Sequence, residues 1–256
     1  RQMCIRDRLI IALLQFHICV VRWRVKMIHE NTKDIKHYFI NALAKEDFIM
    51  DRSGQKTIEL IGASFFADQP AIFGEPNASY IEIEKAWYES QSTNVNWIKE
   101  NYNRNVPEAW LASSNDFGQI NSNYGHLIYS DKYHNQYGRV LDELLENPDG
   151  RRASMIYTRP SIWEEYNEDG KNDFICTNAV TYYIRDNYLQ SVVQMRSNDV
   201  VFGYKNDYAW QLYVLEQMVK DYNDCSSEGT PELKVGDIIW QVQNLHVYER
   251  HFHLVK

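Results

Sequence analysis

Between Asp173 and Trp210 the chain reads DFICTNAVTYYIRDNYLQSVVQMRSNDVVFGYKNDYAW. The alternation in this stretch constrains the fold more than any other feature of the sequence. Val180, Tyr182 and Ile184 share one parity, Arg185-Asp186-Asn187-Tyr188 interrupts the run, and Leu189 to Met195 resumes it. Period-two hydrophobicity on both sides of a polar turn predicts a β-hairpin. Arg196, Ser197, Asn198 and Asp199 then follow at the end of a strand that otherwise reads as buried. Withdrawing a polar group from water without a partner costs a few kcal/mol. The cluster is therefore either a hydrogen-bonded network or a functional site. With Cys176 upstream and Asp207 downstream, we read it as a site.

Other segments supply helices and further strands. Asp34 to Lys45 carries Ile35, Tyr38, Phe39, Leu43 and Ala44 near helical spacing, which predicts an amphipathic helix. Asp51-Arg52-Ser53-Gly54 reads as a turn before a strand from Thr57 to Phe66. Ser79-Tyr80-Ile81-Glu82 fits the S-x-x-E capping box, opening a helix to about Ser90. Tyr80, Ile83, Trp87 and Tyr88 form its buried face, and Glu84 borders that face, as a surface carboxylate or as a site residue. Pro107 to Ser114, with Trp110, reads as the start of a loop-rich stretch that ends in Asn121-Ser122-Asn123-Tyr124-Gly125. Asp131 to Glu146 predicts a further helix, stopped by Asn147-Pro148-Asp149-Gly150. Arg151-Arg152 precedes a strand at Met155 to Thr158. Such a pair often only adds solubility, but it is also what bidentate phosphate recognition requires.

Downstream, Tyr208, Leu212, Leu215, Val219 and Tyr222 mark a buried helix face. Ile238-Ile239-Trp240 and Leu245 to Tyr248 read as two strands, the second placing His246 and Tyr248 on one side, either as a core pair or at a site. His246, His251 and His253 lie close in sequence but lack the H-E-x-x-H spacing, so no metal site is expected. No internal repeat and no phosphate-cradling glycine motif is present.

Seven Trp, eighteen Tyr and ten Phe among 256 residues supply ample apolar area for a core. A net charge of −8 gives no overall basic field, which argues against direct nucleic-acid binding. Cys4, Cys19, Cys176 and Cys225 show no C-x-x-C spacing and read as thiols of a reducing compartment. Leu9 to Val21 is apolar with arginines on both sides, yet shorter than the roughly 20 residues a membrane-spanning helix needs. Residues 1–26 are expected to be a non-native leader, the alternative being a membrane anchor. One domain is expected over residues 27–256.

Several stretches point to a family. Nearly everything from Met27 onward, through KTIELIGASF, GQINSNYG, NPDGRRASMIYTRPS, DFICTNAV, MRSNDVVFGYKNDYAW and IIWQVQNLHVYERHFHLV, resembles the thymidylate synthase superfamily. Within it, the chain looks most like the deoxycytidylate (dCMP) hydroxymethylase branch of T-even-type phages. Members continue for a further stretch beyond the last strand, so the resemblance implies a truncated C-terminus. It also implies an α+β fold in which a large mixed sheet has helices on one face and a dimer interface on the other.

The resemblance implies chemistry as well. The expected reaction transfers a one-carbon unit from 5,10-methylenetetrahydrofolate to C5 of dCMP, with water addition giving 5-hydroxymethyl-dCMP. A thymidylate synthase, a dUMP hydroxymethylase or an inactive nucleotide-binding homologue are the alternatives. Cys176 matches the nucleophile, with a pKa that nearby arginine charge should lower, and Glu84 matches the general acid/base. Asp207 stands where synthases resemble asparagine. A carboxylate accepts from the cytosine N4 amino group, so this residue favours dCMP over dUMP. Arg52, Arg196 and Ser197 match phosphate ligands, joined by Arg151 and Arg152 from the second subunit of a homodimer. His246 and Tyr248 match the residues that hold the deoxyribose 3′-hydroxyl. Asn198 and Tyr124 are candidates near the pyrimidine, while Asp199, Gly203 and Trp110 match the folate side. The implied setting is the host cytoplasm, without metal or membrane.

Overall fold

The computed structural model describes residues 30–51 and 54–256. The leader expected at residues 1–26 and Arg52, expected as a phosphate ligand, lie outside the described residues. The chain opens with β1 (Glu30–Asn31) and α1 (Thr32–Ala44). Asn31 and Asp34 cap that helix reciprocally, the capping-box arrangement, and Ile35 and Phe39 are fully buried. After β2 (Ile49–Met50) and β3 (Lys56–Phe66) come α2 (Ala78–Glu89), α3 (Asn96–Tyr102), α4 (Glu108–Ser113), α5 (Tyr124–Tyr129) and α6 (Gln136–Glu146). Then β4 (Ser154–Ile156), α7 (Ile162–Glu165), β5 (Thr177–Arg185), β6 (Tyr188–Asp199), α8 (Gly203–Cys225) and β7 (Lys234–Tyr248) complete the order.

The strands form one seven-stranded sheet in the order β1-β3-β7-β6-β5-β4, with β2 paired to β3. The expected hairpin is β5–β6, and its turn residues Asp186 and Asn187 have φ of 52° and 62°. Left-handed backbone at both central residues matches the right-handed twist of the flanking strands. β6 and β7 are parallel, so α8 is the crossover between them, and it packs on both strands and beside α2 and α6. Cross-strand register sorts the faces. The row Val180–Val193–Trp240–Phe65 is buried and forms the core. The neighbouring row Thr181–Val192–Ile239–Phe66 is half-buried on the opposite face. Burial contributes about 1.5–3 kcal/mol for each side chain of Val or Phe size.

Local structure departs from expectation at five places. Asn77, not Ser79, caps α2 by accepting from the Tyr80 amide; asparagine serves the orphan donor as well as serine does, so the helix starts earlier. The stretch after Pro107 is helical, with Trp110 and Leu111 donating to the Pro107 carbonyl, because proline suits a helix start. The helix expected from Asp131 is broken at His134 and Asn135, whose φ values are 68° and 43°; Asn135 then caps α6 through the Gly138 amide.

β7 is one strand rather than two. Ladders to β3 and β6 on its two edges satisfy its backbone through the polar Gln241–Asn244 stretch. On α8 the buried face rotates to include Trp210, Gln211, Val214 and Met218, leaving Tyr208 and Leu212 half-buried. The helix is covered from two sides, so one stripe does not describe it. Among the described residues no helix is long and apolar enough to cross a membrane.

Candidate active site

Cys176 lies immediately before β5, and β6 returns beside it so that the Arg196 amide donates to the Cys176 carbonyl at 2.9 Å. The Arg196 guanidinium is fixed by its neighbours. Its Nε donates to the Ile175 carbonyl at 3.1 Å and its Nη2 to that of Phe174. It also stacks on the Phe174 ring at 4.9 Å and brings Nη2 within 3.5 Å of Cys176 Sγ. Charge at that distance favours the thiolate, but burial opposes it more strongly and pushes the Cys176 thiol up to about 11. The expectation of a lowered thiol pKa therefore fails in the free chain, since desolvation outweighs the single guanidinium.

The loop before the cysteine is anchored by a buried carboxylate. Asp173 accepts from the Asn121 and Ser122 amides at 2.7 and 2.8 Å and from the Ser122 hydroxyl at 2.6 Å. This ties the cysteine segment to the segment that leads into α5. There Asn123 caps the helix, and Tyr124 stacks on Tyr88 at 5.3 Å. Gly125 permits the approach, because a Cβ there would lie 1.8 Å from the Tyr88 carbonyl oxygen.

Asp207 occupies the N-terminal part of α8. Asn198 Nδ2 donates to its Oδ2 at 2.8 Å, and the Trp240 indole donates to Asn198 Oδ1 at 3.3 Å. Burial, and next the charge of Glu84, raise the Asp207 carboxyl to about 8, partly offset by hydrogen bonds from Asn198 and Tyr124. Gly203 keeps this corner open, since a Cβ there would meet Asn198 Nδ2 at 3.1 Å.

Glu84 is buried at 5% exposure, not a surface carboxylate. Tyr80, one helical turn earlier, donates to its Oε1, and Trp110 Nε1 reaches the same oxygen at 3.0 Å. Burial raises its pKa against both of those hydrogen bonds. A carboxyl biased toward the neutral form by burial and held by two donors is suited to alternate between acid and base.

Asp199 closes the far side. Its Oδ1 accepts from the Val201 and Phe202 amides at 2.9 and 2.6 Å. Its buried Oδ2 has no hydrogen-bond partner and faces His251 Nδ1 at 3.8 Å. His246 packs edge-on against Tyr248 at 4.8 Å, and burial lowers its pKa, keeping the ring neutral. Ser197 sits between Arg196 and Asn198 on β6, opposite Asn244.

The structure thus gathers Cys176, Arg196, Asn198, Asp207, Glu84, Tyr124 and Trp110. It does not bring Arg151 and Arg152 to them: both are exposed, and Arg152 makes a two-pronged ion pair with Glu143 at 3.0 and 3.2 Å. Sequence reasoning missed Tyr80, Asp173, Phe174, Trp240 and His251 as site neighbours. Only Tyr80 carried a usable signal, its i, i+4 spacing to Glu84; the others arrive through tertiary contacts.

A family model described as thymidylate synthase matches residues 42–256. The deoxycytidylate 5-hydroxymethyltransferase of Enterobacteria phage T4 is 51% identical over 223 residues, which cover 87% of this chain and 88% of that one. The phage T6 protein of the same description matches to the same extent. A thymidylate synthase of Buchnera aphidicola is 26% identical over 213 residues, covering 80% of this chain and 75% of that one. Among solved structures, thymidylate synthase from T4 phage superposes with a TM-score of 0.64 at 23% identity, covering 86% of this chain and 78% of the other.

Proposed function

We propose that this chain, which belongs to the thymidylate synthase family, is a dCMP hydroxymethylase. It takes a one-carbon unit from 5,10-methylenetetrahydrofolate and yields 5-hydroxymethyl-dCMP and tetrahydrofolate. The observation that carries the reading is Asp207: a carboxyl raised to about 8 and oriented by Asn198, in the same cluster as Cys176 and Glu84. A carboxyl group that shares a proton with cytosine N3 and accepts from N4 reads cytosine. Facing the O4 and N3–H of uracil, its ionised form would place a carboxylate oxygen against a carbonyl oxygen, whereas the cytosine edge matches the group whether the proton lies on the carboxyl or on N3.

The Cys176 thiolate adds to C6, which makes C5 nucleophilic. C5 attacks the one-carbon unit, the folate nitrogen departs with its electron pair, and loss of the C5 proton leaves an exocyclic methylene. Water, deprotonated by Glu84, adds to that methylene. Expulsion of Cys176 restores the ring, with no change in oxidation state. Arg196 and Ser197, with Arg52, hold the 5′-phosphate, and His246 and Tyr248 hold the 3′-hydroxyl. The residues fit the folate side too: the buried Asp199 Oδ2 has no hydrogen bond and only the longer contact to His251, Gly203 leaves room, and Trp110 supplies an aromatic wall.

We further propose a homodimer that joins through the half-buried sheet face of Thr181, Val192, Ile239 and Phe66, with Arg151 and Arg152 reaching the partner's phosphate site. Residues 27–256 act as one catalytic domain, without metal, in the host cell cytoplasm. The test is turnover with dCMP and methylenetetrahydrofolate, read by mass for added CH₂O. Stoichiometric dihydrofolate formed with dUMP would overturn the reading, and so would binding of dCMP without release of its C5 hydrogen.

A further inference from the structure

We propose that Tyr80 is a positioning residue for Glu84: its hydroxyl, together with the Trp110 indole, occupies Oε1 and confines the exchangeable proton of Glu84 to Oε2. The geometry fixes the direction of every bond in this triangle. The indole N–H can only donate, and it is shared between Glu84 Oε1 at 3.0 Å and the Tyr80 hydroxyl oxygen at 3.1 Å. The Tyr80 oxygen therefore accepts from Trp110, and its own hydrogen is directed to Glu84 Oε1. A carboxyl oxygen has two lone pairs, and two donors fill those of Oε1. A proton taken up by Glu84 is then placed on Oε2.

The triangle is rigidly mounted. Tyr80 and Glu84 lie one turn apart on α2, and Trp110 comes from α4, held edge-on at 5.1 Å against the fully buried Trp87. The other titratable groups acting around this position are Tyr88 on α2 and Asp207 on α8. Neither is a cation, so the two neutral donors are what favours the ionised carboxyl. A general base that hands one proton back and forth gains from having a single oxygen available for it, since each transfer then starts from the same geometry.

The inference rests on the reading of Glu84 as the acid/base group, and the experiment separates the two. Rates are measured against pH for the unmodified chain and for Tyr80→Phe, Trp110→Phe and Glu84→Gln, with urea midpoints recorded to confirm folding. Tyr80→Phe is expected to lower kcat about tenfold, to leave KM for dCMP nearly unchanged, and to move the acid limb of the kcat profile to higher pH. Trp110→Phe should move that limb in the same direction. An unmoved acid limb and unchanged kcat in a folded Tyr80→Phe protein, with Glu84→Gln inactive, would overturn the inference alone. Full turnover by Glu84→Gln would overturn the reading beneath it.

Discussion

Asn198 donates one hydrogen bond to Asp207 Oδ2 at 2.8 Å while its own Oδ1 accepts from Trp240 at 3.3 Å. The donor-only indole fixes the flip of the Asn198 amide, and the amide in turn fixes which edge of Asp207 faces it. If Asp207 reads the base as proposed, its chemical identity rather than its mobility makes the selection. Asp207→Asn is expected to move the ratio of kcat/KM from dCMP toward dUMP by about 10- to 100-fold, the span of one well-formed base contact. Competition between the two nucleotides measures it, and an unchanged ratio refutes this account of base choice.

The same residue gives a stability signature. The folded Asp207 pKa of about 8 lies above the unfolded value near 4. Its contribution to stability is therefore complete below about pH 4, declines as pH rises toward about 8, and is constant beyond that. Urea midpoints of the unmodified chain should fall relative to those of Asp207→Asn across this window. A constant difference between the two would show that the carboxyl titrates normally.

For Cys176, burial pushes the thiol up to about 11, whereas Cys225 is exposed. Near neutral pH the buried thiol should hold roughly a hundredfold less thiolate than an ordinary cysteine. Peptide mapping after brief iodoacetamide treatment should therefore find Cys225 modified well before Cys176. Equal labelling would mean that the Arg196 charge outweighs desolvation after all. Cys176→Ser should retain dCMP binding and lose turnover, as read by calorimetry beside the mass assay.

Asp173 links the nucleophile segment to the segment bearing Tyr124 through three hydrogen bonds. Asp173→Ala strands two backbone amides and a hydroxyl in a dry environment, at an expected cost of about 2–4 kcal/mol in unfolding free energy. Asp173→Asn keeps one acceptor and should cost less. Denaturant midpoints for the pair check the order.

The hairpin and the polar cluster at its end were legible in the sequence because both are local. Alternation around Asp186-Asn187 specifies β5–β6, and the residues after Met195 are polar where the pattern demands burial. Asp207 needed more, since only the resemblance to a family separates it from an ordinary helix-start carboxylate. The position of Glu84 was half legible: helical spacing puts it beside a buried face, but its burial depends on α4 and Trp110 folding over it. Joining Ile238–Trp240 and Leu245–Tyr248 into one strand was not legible, because the polar stretch between them is satisfied by partners on both edges. The thiol pKa failed for a related reason, since proximity to Arg196 is suggested by sequence and depth is not.

The crossover through α8 also bears on the order of assembly. Asn198 and Asp207 are nine residues apart, and Asp199 accepts from the amides of the turn between them, so this pair can organise within a single β–α–β unit. Glu84 and Trp110 come from the N-terminal half and join only when α2 docks against α8. Long-range docking is slow compared with local closure. A partly opened molecule that releases α2 first would keep the Asn198–Asp207 pair intact while losing Glu84 from the cluster.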